Sequence, residues 1–193
     1  AEIPEYYGDD AGTNSNVAML EKIFLGGASQ IRAIRVGEGG TKASITLKDT
    51  TTSPVNVVKL EALFPGSRPL SITIKDSLAV ETQRECIIYS GTKELMKVTF
   101  AKGAGEPAAL VEAINSNTSA FLEAPKLADG NGVMATLTQA DFTTPGVSPT
   151  VASSDYTKAF TLLEATQFNT LCVDTNDTAI HALVRTFINR AND

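Results

Sequence analysis

The sequence predicts an α+β protein in which an α/β sheet module is split by a β-rich insertion subdomain. Three observations support this fold class. A helical pattern ends at Gly26-Gly27 and leads directly into a nearly continuous apolar stretch, residues 31–36. From Thr41 the hydrophobic period changes to two, which is typical of half-exposed strands. Near Asp155 the pattern of helix, strand and helix returns.

These changes of pattern divide the chain into four segments. We expect residues 1–40 to hold an irregular acidic N-terminus and the first part of the α/β module. Residues 41–137 are expected to form the β-rich insertion, with one short helix. Residues 138–154 are rich in Thr, Pro, Ser and Gly, which is typical of a linker loop. Residues 155–193 are expected to form the second part of the α/β module.

The α/β module is predicted to contain amphipathic helices and two buried strands. The strands are Ile31–Val36 and Phe168–Val173. The first helix is capped at Asn14, Ser15 or Asn16, because each side chain offers an oxygen to the first-turn amides. Its apolar stripe contains Val17, Leu20, Ile23 and Phe24. A second helix carries Tyr156, Phe160, Leu162 and Leu163. The last helix is capped at Thr175, Asn176 or Asp177 and has an apolar stripe of Ile180, Leu183, Val184, Phe187 and Ile188.

The insertion is predicted to be built mainly from alternating strands. Ser90-Gly91-Thr92 separates two of them and indicates a hairpin. Glu106-Pro107 begins a short helix, since proline lacks an amide hydrogen that the first turn leaves unused. The predicted strands contain Ala43 to Leu47, Val55 to Ala62, Leu70 to Ile74, Cys86 to Tyr89, Leu95 to Phe100, Ala120 to Ala124 and Val133 to Leu137.

Composition limits the possible partners. The chain has 193 residues, of which 16 are basic and 22 acidic, giving a formal net charge of -6. Such a surface repels phosphate backbones, so we expect no nucleic-acid partner. No apolar run approaches the roughly 20 residues that a membrane span requires, so we expect no membrane partner. Cys86 and Cys172 both lie in apolar runs, and we expect two buried free thiols rather than a disulfide.

Few residues offer catalytic chemistry. His181 is the single histidine, and we expect it to face solvent on the last helix rather than to act as a base. Asp174 and Asp177 lie where a predicted strand leads into that helix. They are candidates for a divalent metal site, but a helix cap explains them more simply. We therefore predict no catalytic, cofactor or metal-binding residue.

Two glycine-rich segments resemble phosphate-binding loops only superficially. Gly37, Gly39 and Gly40 follow a predicted strand, but a strand rather than a helix follows them, so no helix N-terminus awaits a phosphate. Gly103 and Gly105 do precede a helix, but Glu106 would repel an anion. We expect the first segment to be a turn and neither segment to bind a phosphate.

Several segments resemble the tail sheath proteins of contractile bacteriophages and prophages. The similarity covers most of the chain and depends on the order of the segments, because none of them is specific alone. The segments are Phe24 to Ala28 with the following strand and Arg35, Ala62 to Arg68 before an alternating strand, Leu110-Val111 with Ile114-Asn115, Asp155-Tyr156, Leu162 to Glu164, and Phe168-Asn169. One departure is the segment from Thr138 to Gly146, where the family has a loop rich in glycine.

This resemblance implies a structural protein without a cofactor and without enzymatic activity. It implies that subunits pack in helical rows around a tail tube, and that the sheath contracts when subunit contacts rearrange. The partners would be neighbouring sheath subunits and the tail tube. The location would be the contractile tail of the virion, after assembly in the bacterial host cytoplasm. The resemblance also implies an internal fragment without the terminal arms, which we expect to be monomeric when isolated.

Two other functions fit parts of the sequence. A β-rich binding or adhesin module of a phage or cell surface would agree with the strands, but 6% aromatic residues and no Trp argue against a sugar-binding platform. A metal-dependent α/β enzyme would use Asp174 and Asp177. The resemblance favours the sheath subunit over both.

Overall fold

Two antiparallel sheets and four helices make up the described structure, which is a mixed α+β fold, as predicted. The structure is a computed structural model that describes residues 15–117 and 121–191. The described residues form two compact units. Unit 1 contains those up to Gly39 and those from Pro149, and unit 2 contains Gly40–Ser148.

The first sheet of unit 2 has three strands in the order β1-β2-β6. β2 lies at the centre and pairs antiparallel with both neighbours. Alternating apolar residues of β1 and β2 face the core, as the period of two predicts. The strands are β1 (Ser44–Lys48), β2 (Asn56–Ala62) and β6 (Leu122–Glu123).

The second sheet of unit 2 has four antiparallel strands in the order β5-β4-β3-β7. The predicted hairpin joins β4 to β5, and Gly91 in its turn has a φ of 59°, which favours glycine. The strands are β3 (Leu70–Asp76), β4 (Gln83–Ser90), β5 (Lys93–Ala101) and β7 (Leu137–Asp141).

One helix, α2 (Glu106–Asn115), packs against β5 and closes the core of unit 2. Pro107 lies in its first turn, and Leu110 and Ile114 are fully buried, as the sequence predicts. The buried apolar residues of both sheets and of α2 form one continuous cluster. Unit 2 therefore has the core expected of an independent domain.

Unit 1 contains three helices: α1 (Ser15–Leu25), α3 (Ser153–Leu163) and α4 (Thr178–Ala191). Its described core is small and centres on the stacked rings of Phe160, Phe187 and Phe168. Ile180 and Phe187 of the predicted α4 stripe are buried. Gly27 has a φ of 95° just after α1, which agrees with the predicted helix end.

The predicted strands Ile31–Val36 and Phe168–Val173 are wrong. Both segments are irregular, and neither forms a ladder within the part of the chain that the structure describes. A strand requires backbone pairing with a neighbour, which an apolar run by itself does not supply. Consequently Cys172 is exposed rather than buried, whereas Cys86 is buried as predicted, and both thiols are free.

Other predicted elements need smaller corrections. Residues 138–154 are not one loop, because β7 pairs with β3 there and α3 already begins at Ser153. Only Leu137 of the predicted strand from Val133 is in a strand. In α1, Leu20 is buried but Phe24 is largely exposed. The expected irregular acidic segment, the Asn14 cap and Ala120 lie outside the described residues.

Candidate functional site

His181 lies on α4 with its side chain exposed, and its Nε2 is 2.8 Å from the carbonyl oxygen of Thr175. This contact ties the first turn of the helix to the segment before it. The geometry offers an anchor for the helix start rather than the hydrogen-bonded pair that a catalytic base requires.

Asp177 acts as the cap of α4. Its Oδ1 accepts a hydrogen bond of 2.8 Å from the amide of Ala179, and the Thr175 hydroxyl accepts one from the Asp177 amide at 3.2 Å. Asp174 instead lines an open cleft beside α1 together with Lys22. Within the described ranges, no group of three or more His, Cys, Asp or Glu side chains could hold a metal ion. The two carboxylates therefore have different positions: Asp177 caps α4, whereas Asp174 lines the cleft.

The three glycines between residues 36 and 41 have positive φ values: 136° for Gly37, 77° for Gly39 and 85° for Gly40. A Cβ atom at Gly37 would lie 3.0 Å from Cβ of Pro149, so this glycine also allows a close approach of two segments. No helix follows them before β1 among the described residues. The geometry is that of a turn rather than of a phosphate loop.

The second glycine segment is occupied by the protein's own carboxylate. Oε1 of Glu106 accepts a hydrogen bond of 3.1 Å from the amide of Gly103. Oε2 accepts one of 2.8 Å from the amide of Met134. The donors that an external anion would use are therefore bound to a side chain that is only 1% exposed.

Glu106 belongs to a buried ionic network that the sequence analysis did not predict. Nη1 of Arg84 lies 2.7 Å from Oε2 of Glu106 and donates to the carbonyl oxygen of Met134, also at 2.7 Å. Nη2 donates to the Thr136 hydroxyl at 2.9 Å. Nε makes no hydrogen bond but lies 3.3 Å from Oδ1 of Asp76. The network joins β3, β4, α2 and the segment before β7.

A second buried carboxylate, Asp49, holds two loops of unit 2 together. Its Oδ1 accepts hydrogen bonds from the Val55 amide at 2.8 Å and the Thr51 hydroxyl at 2.9 Å, and its Oδ2 accepts from the Asn131 amide at 3.1 Å. Burial by itself would raise the pKa of Asp49, but these hydrogen bonds outweigh it and lower the pKa below its ordinary value. All three donors are groups of the protein itself, so we interpret Asp49 as a residue that stabilises the fold rather than as a ligand-binding residue.

The start of α3 is held by a small ionic cluster in unit 1. Oδ2 of Asp155 accepts a hydrogen bond of 3.0 Å from the amide of Ala152, and this bond, with the nearby Lys158, lowers the pKa of Asp155. Lys158 also lies 2.7 Å from Glu38, whose backbone pairs with that of Thr150. The cluster therefore fixes α3 to Glu38, which lies within the glycine segment at residues 37–40.

Apolar side chains are exposed at several places among the described residues, and two of these places form apolar surfaces. One is the loop between β3 and β4, where Leu78 is 95% exposed and Val80 is 43% exposed. The other is the cleft beside α1, with a volume of about 440 Å³, which is lined by Ala18, Met19, Lys22, Ile23 and Asp174. None of the described helices is both long enough and apolar enough to cross a membrane. These two surfaces are the strongest candidates for protein contacts.

The fold is similar to that of a solved sheath tail protein. A sheath tail protein from Desulfitobacterium hafniense matches over 97% of this chain, with a TM-score of 0.57 and 19% sequence identity. The match covers 41% of that protein, so the chain spans about two fifths of its length. A sheath tail protein from Listeria innocua matches over 77% of this chain and 31% of its own, with a TM-score of 0.36 and 15% identity.

No protein-family model matches the chain, and no curated protein matches it in sequence. The structural similarity to the Desulfitobacterium hafniense protein confirms the predicted resemblance at the level of the fold. The chain therefore has the fold of part of a sheath tail protein.

Proposed function

We propose that this protein is a structural subunit of a contractile phage tail sheath. The observation that carries the proposal is the fold similarity to a sheath tail protein over 97% of the chain. The ordered sequence segments from Phe24 to Asn169 support the same family, because their similarity lies in the sequence rather than in the fold. In this role the subunits pack in helical rows around a tail tube in the virion, after assembly in the cytoplasm of the bacterial host.

The proposed mechanism places the energy of contraction in contacts between subunits. The sheath changes from an extended to a contracted lattice when these contacts rearrange, and a packed core such as that of unit 2 moves as a body. The two buried carboxylate networks serve this role because they tie loops and strands of unit 2 together. We further propose that unit 2 is an insertion into the module that contains unit 1.

No enzymatic role is proposed. Asp177 caps a helix, Glu106 fills the glycine segment before α2, and His181 contacts a backbone carbonyl. A metal-dependent enzyme based on Asp174 and Asp177 is therefore less well supported than a structural subunit. The binding or adhesin module has no specific observation in its favour.

The direct test is immunogold electron microscopy of tail particles from the organism that encodes this chain. An antibody raised against unit 2 should label the whole length of tubular, striated tails. An antibody against an unrelated host protein is the matched control. Label confined to the tail tip, to fibres or to soluble material would contradict a sheath subunit.

A further inference from the structure

The exposed apolar loop of unit 2 has a defined shape. Leu78, Ala79 and Val80 stand at the tip of the loop between β3 and β4, and all three side chains are exposed. The Ser77 hydroxyl accepts hydrogen bonds from the amides of Ala79 and Val80 at 3.3 and 3.4 Å. We call residues 78–80 the apolar tip.

The base of the loop is closed by backbone and side-chain bonds. The amide of Ser77 donates to the carbonyl oxygen of Gln83, and the amide of Gln83 donates to that of Val80, both at 3.0 Å. The Ser77 hydroxyl also lies 3.3 Å from Glu85. A loop that is ordered before binding loses little conformational entropy when it binds, so the apolar tip is well suited to insert into a partner.

A surface of matching chemistry exists on the same chain, in the cleft beside α1. Ala18, Met19 and Ile23 make its lining mainly apolar. The cleft is open and large enough for one or two aliphatic side chains.

Charge determines the orientation of this contact rather than its strength. Glu81 follows the apolar tip and is exposed, whereas Lys22 lines the cleft. Asp174 lines the cleft as well, so the sum of its charges is zero and the attraction must come from Lys22 alone. A tip inserted with Glu81 towards Lys22 would bring opposite charges together, and this fixes the orientation of the contact.

We propose that the apolar tip of one copy of this chain inserts into the α1 cleft of a second copy. The inference rests on the proposed function, because it names a contact that a sheath subunit would use. Tip and cleft are different surfaces, so the contact is heterologous. Repetition of a heterologous contact without closure produces an open helical array, which is the symmetry of a sheath.

The native thiols permit a direct test by cross-linking. Cys172 is exposed and lies two residues from Asp174, so it is within about 7 Å of the cleft along an extended backbone. Burial raises the pKa of Cys86 to about 12, so this thiol does not interfere. Replacing Ala79 with Cys places a second reactive thiol in the apolar tip and leaves Leu78 and Val80 intact.

Under mild oxidation or with a short bifunctional maleimide, the Ala79→Cys chain should form a ladder of dimers, trimers and higher oligomers. Cross-linking is needed because a contact of this size is too small to persist by itself. The ladder should disappear when Cys172→Ser is added. It should also disappear with Leu78→Glu, whereas Leu127→Glu, at a site 51% exposed, should preserve it.

A charge reversal adds a second criterion. Glu81→Lys should reduce the ladder, and Lys22→Glu in the same chain should restore it. An equal ladder from Ala101→Cys, or dimers that persist after Cys172→Ser, would overturn the proposal. Labelled striated tails without this ladder would refute the contact but not the sheath function. The ladder without labelled tails would refute the function.

Discussion

Replacing Glu106 with Gln should strongly destabilise unit 2. The carboxylate is 1% exposed and accepts hydrogen bonds from Arg84, Gly103 and Met134. The amide of glutamine has one oxygen instead of two and places an NH₂ group against donors. It also leaves the buried guanidinium of Arg84 without its closest negative charge. Loss of one partner of a buried ion pair costs about 3–5 kcal/mol, a large share of the roughly 5–15 kcal/mol of a typical domain.

A double variant distinguishes the contribution of the two buried charges from that of their hydrogen bonds to the backbone. Replacing both partners of a buried ion pair with apolar residues is often neutral. Here, however, Arg84→Met with Glu106→Leu also leaves the amides of Gly103 and Met134 and the carbonyl of Met134 without the partners they have now. Each unpaired buried group costs about 1–3 kcal/mol, and the two groups of Met134 are buried, so the double variant should remain destabilised by at least about 2 kcal/mol.

Urea unfolding followed by far-ultraviolet circular dichroism measures these changes. The matched control is Glu123→Gln, which removes an exposed carboxylate 3.3 Å from Lys42 and should change the free energy of unfolding by less than about 1 kcal/mol. If Glu106→Gln lies within about 1 kcal/mol of this control, the buried network does not stabilise the fold as described. Full recovery in the double variant would show that the charges alone matter.

Three further predictions concern stability. Gly130→Ala should destabilise unit 2 by about 2–5 kcal/mol, because the φ of Gly130 is 57° and the new Cβ would lie 2.6 Å from Oδ2 of Asp49. The control is Gly91→Ala, which has a similar φ but open space around the new Cβ. It should cost about 1–2 kcal/mol in the same urea assay. Phe187→Ala should cost about 3–5 kcal/mol, because the stacked rings around Phe187 are lost. His181→Ala should cost less than about 1.5 kcal/mol, because only one exposed hydrogen bond is lost. Thermal unfolding that reverses this order would contradict the orientation of α4, with Phe187 buried and His181 exposed. Because the pKa of Asp49 is lowered in the folded state, its stabilisation is complete above the ordinary carboxyl pKa of about 4 and declines as the pH falls further. Urea midpoints measured across that range should therefore fall in acid, and Asp49→Asn should make the fall shallower.

The sequence predicted the elements that depend on local pattern. The hairpin around Gly91 and the start of α2 at Glu106-Pro107 are confirmed, because turn chemistry and helix capping are encoded in adjacent residues. The cap of α4 at Asp177 was one of three local alternatives. Alternation likewise predicted the buried face of β1 and the buried apolar residues of β3, although Ser71 and Thr73 on the other face of β3 are buried as well.

Features that depend on distant partners were not predictable in this way. Ile31–Val36 looks like a buried strand, but strand formation requires pairing that a single segment cannot reveal. β7 was missed because its polar residues conceal an edge strand, which pairs with β3 about 70 residues earlier. The ion pair of Arg84 and Glu106 joins residues 22 positions apart, so no local signal indicates it.

We propose that this chain forms part of the wall of a contractile tail. Helical reconstruction by electron cryomicroscopy of the tails that contain it tests this claim most directly. We expect density for the two sheets of unit 2, in strand orders β1-β2-β6 and β5-β4-β3-β7, repeated at every lattice point around the tube. A reconstruction that places this fold only at the tail tip or in a fibre, with a different protein forming the wall, would contradict it.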